Sequence, residues 1–207
     1  CIRDRFESYE KAGQTFVIEG PVSKDYLQTM TFDEGLDAFR IPIAQFEAIQ
    51  DISTLDEGRI YIIRKAQHII GYVTYLYPDP MERWSTGNLP YLLELGAIEI
   101  SLPYRGLGLG NALLKVSTRS PEFEDYIVIT TEYYWHWDLK NSGLDVFEYK
   151  KLMQAMMSHG GLEVFATDDP EITSHPANCL MARIGKNITV DQMTEFDNIR
   201  FMNRFFF

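Results

Sequence analysis

The chain has 207 residues, of which 45% are hydrophobic and 14% aromatic, and its formal net charge is −11. This length fits one domain with a sizeable core, so we predict a single domain over residues 1–207, with 1–13 as a loosely ordered N-terminal extension. The acidic balance argues against a nucleic-acid partner, because binding to phosphate backbones depends on clusters of Lys and Arg. No apolar run reaches 18 residues, so we expect no membrane span.

The two cysteines indicate the redox compartment. Neither Cys1 nor Cys179 lies near a second cysteine or in a metal-ligand spacing, which fits a reducing compartment better than a secreted disulfide framework. Residues 1–7 lack the apolar core of a signal peptide. We therefore expect a cytoplasmic protein without a metal site. The sequence leaves the oligomeric state open, a homo-oligomer included.

The first half of the chain predicts strands interrupted by helices. Alternating and β-branched residues predict strands, and apolar residues in helical spacing predict helices. In chain order the predicted elements are a strand at 14–19, a capped helix that begins at Ser23, a helix at 43–52, and a hairpin of two strands at 59–64 and 68–77.

The second half continues the same mixture. Its predicted elements are a strand at 93–101, a helix that ends near Thr118, a strand at 126–131, an amphipathic helix at 144–158, a strand at 162–167, helices near 177–184 and 190–197, and a strand-like end at 200–207. This order predicts an α/β (α+β) fold, with a mixed, mostly antiparallel central sheet flanked by helices.

A glycine-rich stretch within Ser101–Leu114 is the strongest local signal. Gly106, Gly108 and Gly110 lie between a predicted strand and a predicted helix. Such a turn places successive backbone N–H groups in one concave array, and the helix N-terminus adds partial positive charge, so the array suits a pyrophosphate. Arg105 adds a charge at the rim. The stretch therefore predicts a ligand that carries phosphate.

Three phosphate-binding motifs compete for this stretch. A P-loop is excluded because Asn111-Ala112 follows the last glycine in place of Lys-Ser/Thr, and Gly106–Gly110 lacks the G-x-G-x-x-G spacing of a dinucleotide fingerprint. Arg105–Gly110 matches the Arg/Gln-x-x-Gly-x-Gly/Ala signature of the GCN5-related N-acetyltransferase (GNAT) superfamily, and Ile100–Gly106 resembles that superfamily's strand-four pattern. The resemblance implies the GNAT fold.

The resemblance also implies the cofactor site. In the superfamily the amides of this loop hold the pyrophosphate of coenzyme A, so acetyl-CoA is the implied co-substrate, with no metal. The implied cofactor-binding residues are Ile100, Leu102, Arg105, Gly106, Leu107, Gly108, Leu109, Gly110, Asn111 and Ser174.

A closer resemblance covers nearly the whole chain from Ile18 onward. The segments 71–80, 130–139, 165–172 and 174–187 are similar to the acetyltransferases of acetoin utilisation in bacilli. This resemblance implies a protein lysine acetyltransferase that acetylates acetyl-CoA synthetase and so inactivates it.

Acetyl transfer to a lysine requires a base, because the amine is protonated at neutral pH. Glu94 and Glu99 lie on the strand that leads into the glycine loop, and Glu132 lies at the end of the next strand. We rank Glu94 and Glu99 level as candidate bases and Glu132 below them. Glu94 and Glu99 could each instead lie on a solvated strand face or in an ion pair.

A tyrosine on a late helix often protonates the CoA thiolate in this superfamily. The best match to its Leu-Tyr-Glu-Lys-Leu-Gly pattern is Leu180–Gly185, which places Met181 at the tyrosine position. A methionine cannot donate a proton. Tyr133, Tyr134 or a water molecule could take that role.

An unusual aromatic cluster occupies Glu132–Asp138. Tyr133, Tyr134, Trp135 and His136 could line a channel for the acceptor lysine, or they could pack the sheet edge against the helix at 144–158. His175, close to acidic residues at 168–171, lacks a second histidine and is interpreted as part of a solvated loop.

Taken together, the sequence predicts an N-acetyltransferase that uses acetyl-CoA by direct transfer. Two alternatives stay open: a non-catalytic regulator that binds acyl-CoA, and an acetyltransferase that acts on small-molecule amines.

Overall fold

A computed structural model of the chain describes residues 5–203. Its strands are β1 Arg5–Lys11, β2 Gln14–Gly20, β3 Thr31–Phe32, β4 Arg59–Lys65, β5 His68–Leu76, β6 Leu92–Ile100, β7 Ile127–Glu132, β8 Glu163–Phe165 and β9 Cys179–Ile184. Its helices are α1 Lys24–Leu27, α2 Pro42–Ile52, α3 Leu109–Ser117, α4 Leu139–Ser142, α5 Val146–Ser158, α6 Pro170–Thr173 and α7 Val190–Arg200. These strands form a mixed, mostly antiparallel sheet flanked by helices, which confirms the predicted fold class.

The residues divide into two compact units. The first comprises residues up to 76 together with 95–120, and the second comprises 77–94 together with the chain from 121. Strand β6 begins in the second unit and ends in the first. The expectation of one domain over 1–207 stays a prediction.

In the first unit the strands lie in the order β1-β2-β4-β5. Strand β3 pairs in parallel with the first two residues of β5. Strands β4 and β5 form the predicted hairpin. Its core holds side chains from α1, α2, β4 and β5, including Leu27, Ile49, Ile62 and Tyr72. Helix α3 adds the buried residues Leu109, Leu113, Leu114 and Val116. This unit carries the glycine loop.

The N-terminal segment departs from its prediction. Strand β1 pairs along its whole length with β2 in antiparallel register, and Ala12 and Gly13 form the turn with φ of 51° and 71°. Two successive positive φ angles match the twist of a two-residue hairpin. The expected loose extension is therefore wrong for residues 5–13, and residues 1–4 lie outside the described range.

The second unit pairs the start of β6 in parallel with β7, then β7 with β9 and β9 with β8 in antiparallel fashion. Helix α5 begins with a capping box in which Asp145 and Glu148 exchange side-chain and backbone hydrogen bonds. The core of this unit includes Trp84, Ile129, Leu180 and Phe196.

Two predictions near the C-terminus are wrong. The helix predicted near 177–184 is strand β9, because its short apolar run is buried between β7 and β8, and so short a run does not by itself distinguish helix from strand. The strand-like end predicted at 200–207 begins instead with the last residue of α7, followed by a turn at 201–203. Residues 204–207 lie outside the described range.

No helix within residues 5–203 combines the length and the apolar character that crossing a membrane requires.

Candidate active site

The glycine loop leaves β6 in the first unit through a defined backbone path. The Ser101 N–H donates to the Ile70 carbonyl at 2.9 Å, and a short 3-10 turn at Leu102–Tyr104 follows. Gly106 and Gly108 then adopt left-handed φ angles of 79° and 73°. Helix α3 begins directly after Gly108, which is its N-cap and offers no side-chain hydrogen bond.

This geometry leaves backbone donors free at the start of α3. The first N–H groups of a helix lack an intrahelical acceptor, so the amides of Leu109, Gly110 and Asn111 face outward without a capping side chain. A Cβ added at Gly106 or Gly108 would meet no protein atom within 4 Å, so the space in front of the loop is open. The donors and the helix dipole fit a pyrophosphate.

The side chains of the loop differ in their roles. Leu109 is buried in the core, so only its backbone is available to a ligand. Arg105 is exposed and donates from Nε to the Ile100 carbonyl at 2.9 Å, which holds its guanidinium beside the end of β6. The cofactor-binding role predicted for Ile100, Leu102, residues 105–111 and Ser174 stays a prediction, and the backbone geometry of the loop supports it.

A carboxylate that the sequence analysis missed fixes the entry to the loop. The Ser101 hydroxyl donates to Asp33 Oδ1 at 2.7 Å, and the same oxygen accepts the Gly35 N–H at 2.8 Å. A Cβ on Gly35 would approach Ser101 Oγ to 2.5 Å, so glycine is needed there. Sequence gives no signal for this contact, because Asp33 and Ser101 lie 68 positions apart.

Glu99 is buried in the first unit and both of its oxygens are engaged. Oε1 accepts the Ala38 N–H and Oε2 accepts the Tyr72 hydroxyl, each at 2.8 Å. Burial raises the pKa of Glu99, and the two hydrogen bonds partly oppose that rise. These contacts tie the 33–38 segment to β6, which favours a structural role for this carboxylate.

Glu94 lies in the second unit, and its surroundings are the opposite of those of Glu99. It is partly buried on β6 opposite Ile129, and among residues 5–203 no hydrogen bond or ion pair is formed with its carboxylate. Burial, followed by the negative charges of Glu82 and Asp79, raises the pKa of Glu94 to about 8. A carboxyl with a pKa near neutrality can both accept and release a proton at physiological pH.

Glu132 is buried at the end of β7. Its carboxylate accepts hydrogen bonds from Thr130 Oγ1 and Trp137 Nε1, both at 3.1 Å. Burial raises its pKa against the effect of these two bonds. The contact with Trp137 holds the chain that follows β7, so the geometry favours a structural role here as well.

The aromatic segment after Glu132 forms a short 3-10 turn. Tyr133 stacks on Trp135 with ring centroids 4.8 Å apart, and the Tyr134 ring lies 4.3 Å from that of His175. Trp135 and His136 are exposed. Burial and nearby carboxylates raise the pKa of Tyr133 above its usual range, so its hydroxyl stays protonated. The substrate-binding role predicted for 133–136 stays a prediction.

The remaining candidates lie around α6 and β9. The exposed Ser174 donates its hydroxyl to the Glu171 carbonyl at 2.6 Å, and His175 Nδ1 accepts the Ala177 N–H at 3.1 Å. Met181 is buried on β9 opposite Thr130. Its placement on a late helix was therefore wrong, and no conclusion about a missing acid follows from it. Within residues 5–203, no three His, Cys, Asp or Glu side chains are grouped as a metal would require.

Comparison with known proteins identifies the family. No family model matches the chain. The chain is 56% identical over 193 residues to the acetoin utilization protein AcuA of Bacillus subtilis, covering 93% of this chain and 92% of that protein. A crystal structure of an acetoin utilization protein from Exiguobacterium sibiricum matches with a TM-score of 0.93 and 55% identity, covering 96% of this chain and 94% of that one. The chain belongs to the AcuA family.

A more distant match shows the fold. An acetyltransferase of the GNAT family from Streptococcus pneumoniae aligns with a TM-score of 0.52 at 12% identity, covering 82% of this chain and 99% of that one. This AcuA-family chain therefore has the GNAT fold, as the glycine-loop motif predicted.

Asp79 and Glu82 are the second set of residues that the sequence analysis missed. Both lie between β5 and β6 in the second unit, where they raise the pKa of Glu94. The acidic composition of this loop was visible in the sequence, but its proximity to Glu94 was not, because a loop sequence does not reveal its path.

Proposed function

We propose that this AcuA-family protein is an acetyl-CoA-dependent N-acetyltransferase that acetylates a lysine of a protein. The observation that carries the proposal is the glycine loop, with two left-handed glycines and an uncapped start of α3, in a chain with the GNAT fold.

The glycine loop supplies binding. The amides at 107–111 hold the pyrophosphate of acetyl-CoA, and Arg105 adds positive charge at the loop. Asp33 orders the loop entry through Ser101, so the donors are positioned before the ligand binds. Such preorganisation lowers the cost of ordering the site on binding.

The proposed base is Glu94. Glu94 takes a proton from the lysine ammonium, which frees the amine nitrogen for attack. Bound acetyl-CoA supplies an activated thioester carbonyl. The new C–N bond forms and the C–S bond breaks, the nitrogen releases its second proton to solvent water, and the sulfur leaves as a thiol after taking up one proton. Tyr133 is protonated at neutral pH and is one candidate for that donation, with solvent water as the other.

The acceptor we propose is acetyl-CoA synthetase, acting in the cytoplasm. The support is the resemblance across the chain to acetyltransferases of acetoin utilisation, together with 56% identity to an acetoin utilization protein. Acetylation of an essential lysine of the synthetase would switch off its activity by removing a charge and a hydrogen-bond donor.

The test is incubation of this protein with acetyl-CoA and acetyl-CoA synthetase, followed by intact-mass and peptide mass spectrometry and a thiol assay for released CoA. We expect one acetyl group on one synthetase lysine for each CoA released. An unmodified synthetase with turnover on polyamines would contradict the protein acceptor. Tight acetyl-CoA binding without turnover on any amine would contradict the enzymatic function and favour a regulator.

A further inference from the structure

A cavity of about 460 Å³ opens in the second unit, and it is formed entirely by the loop between β5 and β6. Its wall is mostly apolar and includes Tyr77, Pro78, Pro80, Trp84, Leu89 and Pro90. This volume lies within the range of about 300–1,000 Å³ that is typical of ligand sites. None of the candidate site residues lines this cavity.

The loop that forms the cavity is held in place from several sides. Arg83 forms ion pairs with Asp168 and, at 3.2 Å, with Asp169. Trp84 is buried in the core of the unit. Across the opening, the Tyr77 hydroxyl donates to the Pro90 carbonyl at 3.2 Å. The cavity is therefore preformed.

The charges near the cavity favour one kind of ligand. Asp79 is exposed between Pro78 and Pro80, both of which line the cavity, and Glu82 is exposed on the same loop. The negative charges of Asp79 and Glu82 reach Glu94. Arg83, the cation of this loop, is paired with two aspartates. An apolar cavity beside carboxylates complements a ligand that carries an apolar group close to a cation.

We propose that the cavity binds an apolar side chain of the acceptor protein, close in sequence to the lysine that is acetylated. This inference rests on the proposed function and adds a recognition element to it. Pro90 lies two residues before the start of β6 and four before Glu94, so the chain between them spans at most about 13–14 Å. An extended peptide covers about 3.3–3.6 Å per residue, so the apolar side chain lies within about four residues of the lysine.

The test uses synthetic peptides with blocked ends, in which one lysine is flanked by serines and a single leucine is moved through each flanking position. CoA release is measured with the full-length protein and acetyl-CoA. We expect kcat/KM to be about tenfold higher when leucine occupies one particular position, because an added apolar group in a fitted pocket gives discrimination of this order. Leucine at the other positions leaves kcat/KM near that of the all-serine peptide.

Two variants connect this preference to the cavity. Thr86→Trp fills the cavity from its exposed rim, and Tyr77→Ala removes one wall; both are expected to reduce the leucine preference to about one while turnover of the all-serine peptide persists. Leu152→Ala, at an exposed apolar residue of α5 outside the cavity, is the matched control and keeps the full preference. Circular dichroism verifies that each variant is folded.

The outcomes distinguish failure of the cavity proposal from failure of the proposed acetyltransferase function. Turnover of lysine peptides without any positional preference, or a preference that survives in both cavity variants, overturns the inference and leaves the acetyltransferase function standing. Absence of turnover on every peptide and on acetyl-CoA synthetase overturns the proposed function, and the inference with it.

Discussion

Two glutamates on one strand have opposite surroundings. Glu99, in the first unit, is buried with both oxygens hydrogen bonded, to the Ala38 amide and the Tyr72 hydroxyl. Glu94, in the second unit, forms no hydrogen bond or ion pair with any residue of the described range 5–203, and it experiences the negative charges of Asp79 and Glu82. A carboxylate whose lone pairs are occupied stabilises the fold, whereas one without partners can exchange protons with a substrate.

The largest expected difference between the two glutamates is in kcat, when each carboxylate is replaced by a neutral amide. We expect Glu94→Gln to lower kcat for acetylation of acetyl-CoA synthetase by about 10²–10⁴-fold, the usual contribution of a general base. The matched variant Glu99→Gln is expected to lower kcat by less than about tenfold. Steady-state CoA release measures both. Equal losses in the two variants would remove the distinction between the residues.

For the free energy of unfolding we expect the reverse order, with a larger loss on replacing Glu99 than on replacing Glu94. Glu99→Ala leaves the Ala38 N–H and the buried Tyr72 hydroxyl without their acceptor, so we expect it to lower the free energy of unfolding by about 1–3 kcal/mol. For a chain of this size, each kcal/mol corresponds to roughly 2–4 °C in Tm. Thermal unfolding followed by circular dichroism provides the measurement.

Glu94→Ala is the control for that stability measurement. The raised pKa of Glu94 means that ionisation is disfavoured in the folded state, so its charge costs folding free energy that grows as the pH rises from its ordinary pKa towards 8. Glu94→Ala removes the carboxylate and with it this cost. At pH 9 we therefore expect the loss of the Glu94 charge not to lower Tm. A larger destabilisation at Glu94 than at Glu99 would contradict the assignment.

A smaller effect is expected from a substitution in the glycine loop. Gly108→Ala places a Cβ in the open space before the amides and strains a left-handed position by about 1–2 kcal/mol. We expect Kd for acetyl-CoA to rise by about tenfold in isothermal titration calorimetry. Gly13→Ala, at a left-handed glycine of the β1-β2 turn, bears the same strain and is expected to leave Kd unchanged.

The smallest expected effect concerns the neighbours of Glu94. Asp79→Asn removes one negative charge, so the pKa of Glu94 falls and the acidic limb of the kcat/KM profile moves to lower pH. For two charges taken as about 10 Å apart, effective dielectric constants between 80 and 20 give a shift of about 0.3–1.2 units. Asp25→Asn, on α1 of the first unit, serves as the control. An unchanged limb in Asp79→Asn would contradict the coupling.

The elements that could be predicted from sequence were those whose signals are local. The hairpin of β4 and β5 follows from two β-rich runs around a short turn, and α5 follows from the apolar spacing that predicts an amphipathic helix at 144–158. The glycine loop was found because its backbone requirement appears directly as glycines in a fixed spacing.

What sequence could not predict depends on distant partners. Strand β9 was taken for a helix because a short, mostly apolar run fits either structure until β7 and β8 are placed beside it. Glu94 and Glu99 were ranked level for the same reason. Their difference comes from Ala38, 61 positions from Glu99, and from the path of the loop that brings Asp79 and Glu82 near Glu94.

The pH dependence of kcat/KM tests the central claim most directly, measured with acetyl-CoA synthetase as acceptor for the unmodified protein and for Glu94→Gln. We expect the activity of the unmodified protein to rise with pH through a limb near 8, the pKa of Glu94, and we expect this limb to be absent in Glu94→Gln. A limb near 8 that persists unchanged in Glu94→Gln would contradict the assignment of Glu94 as the base.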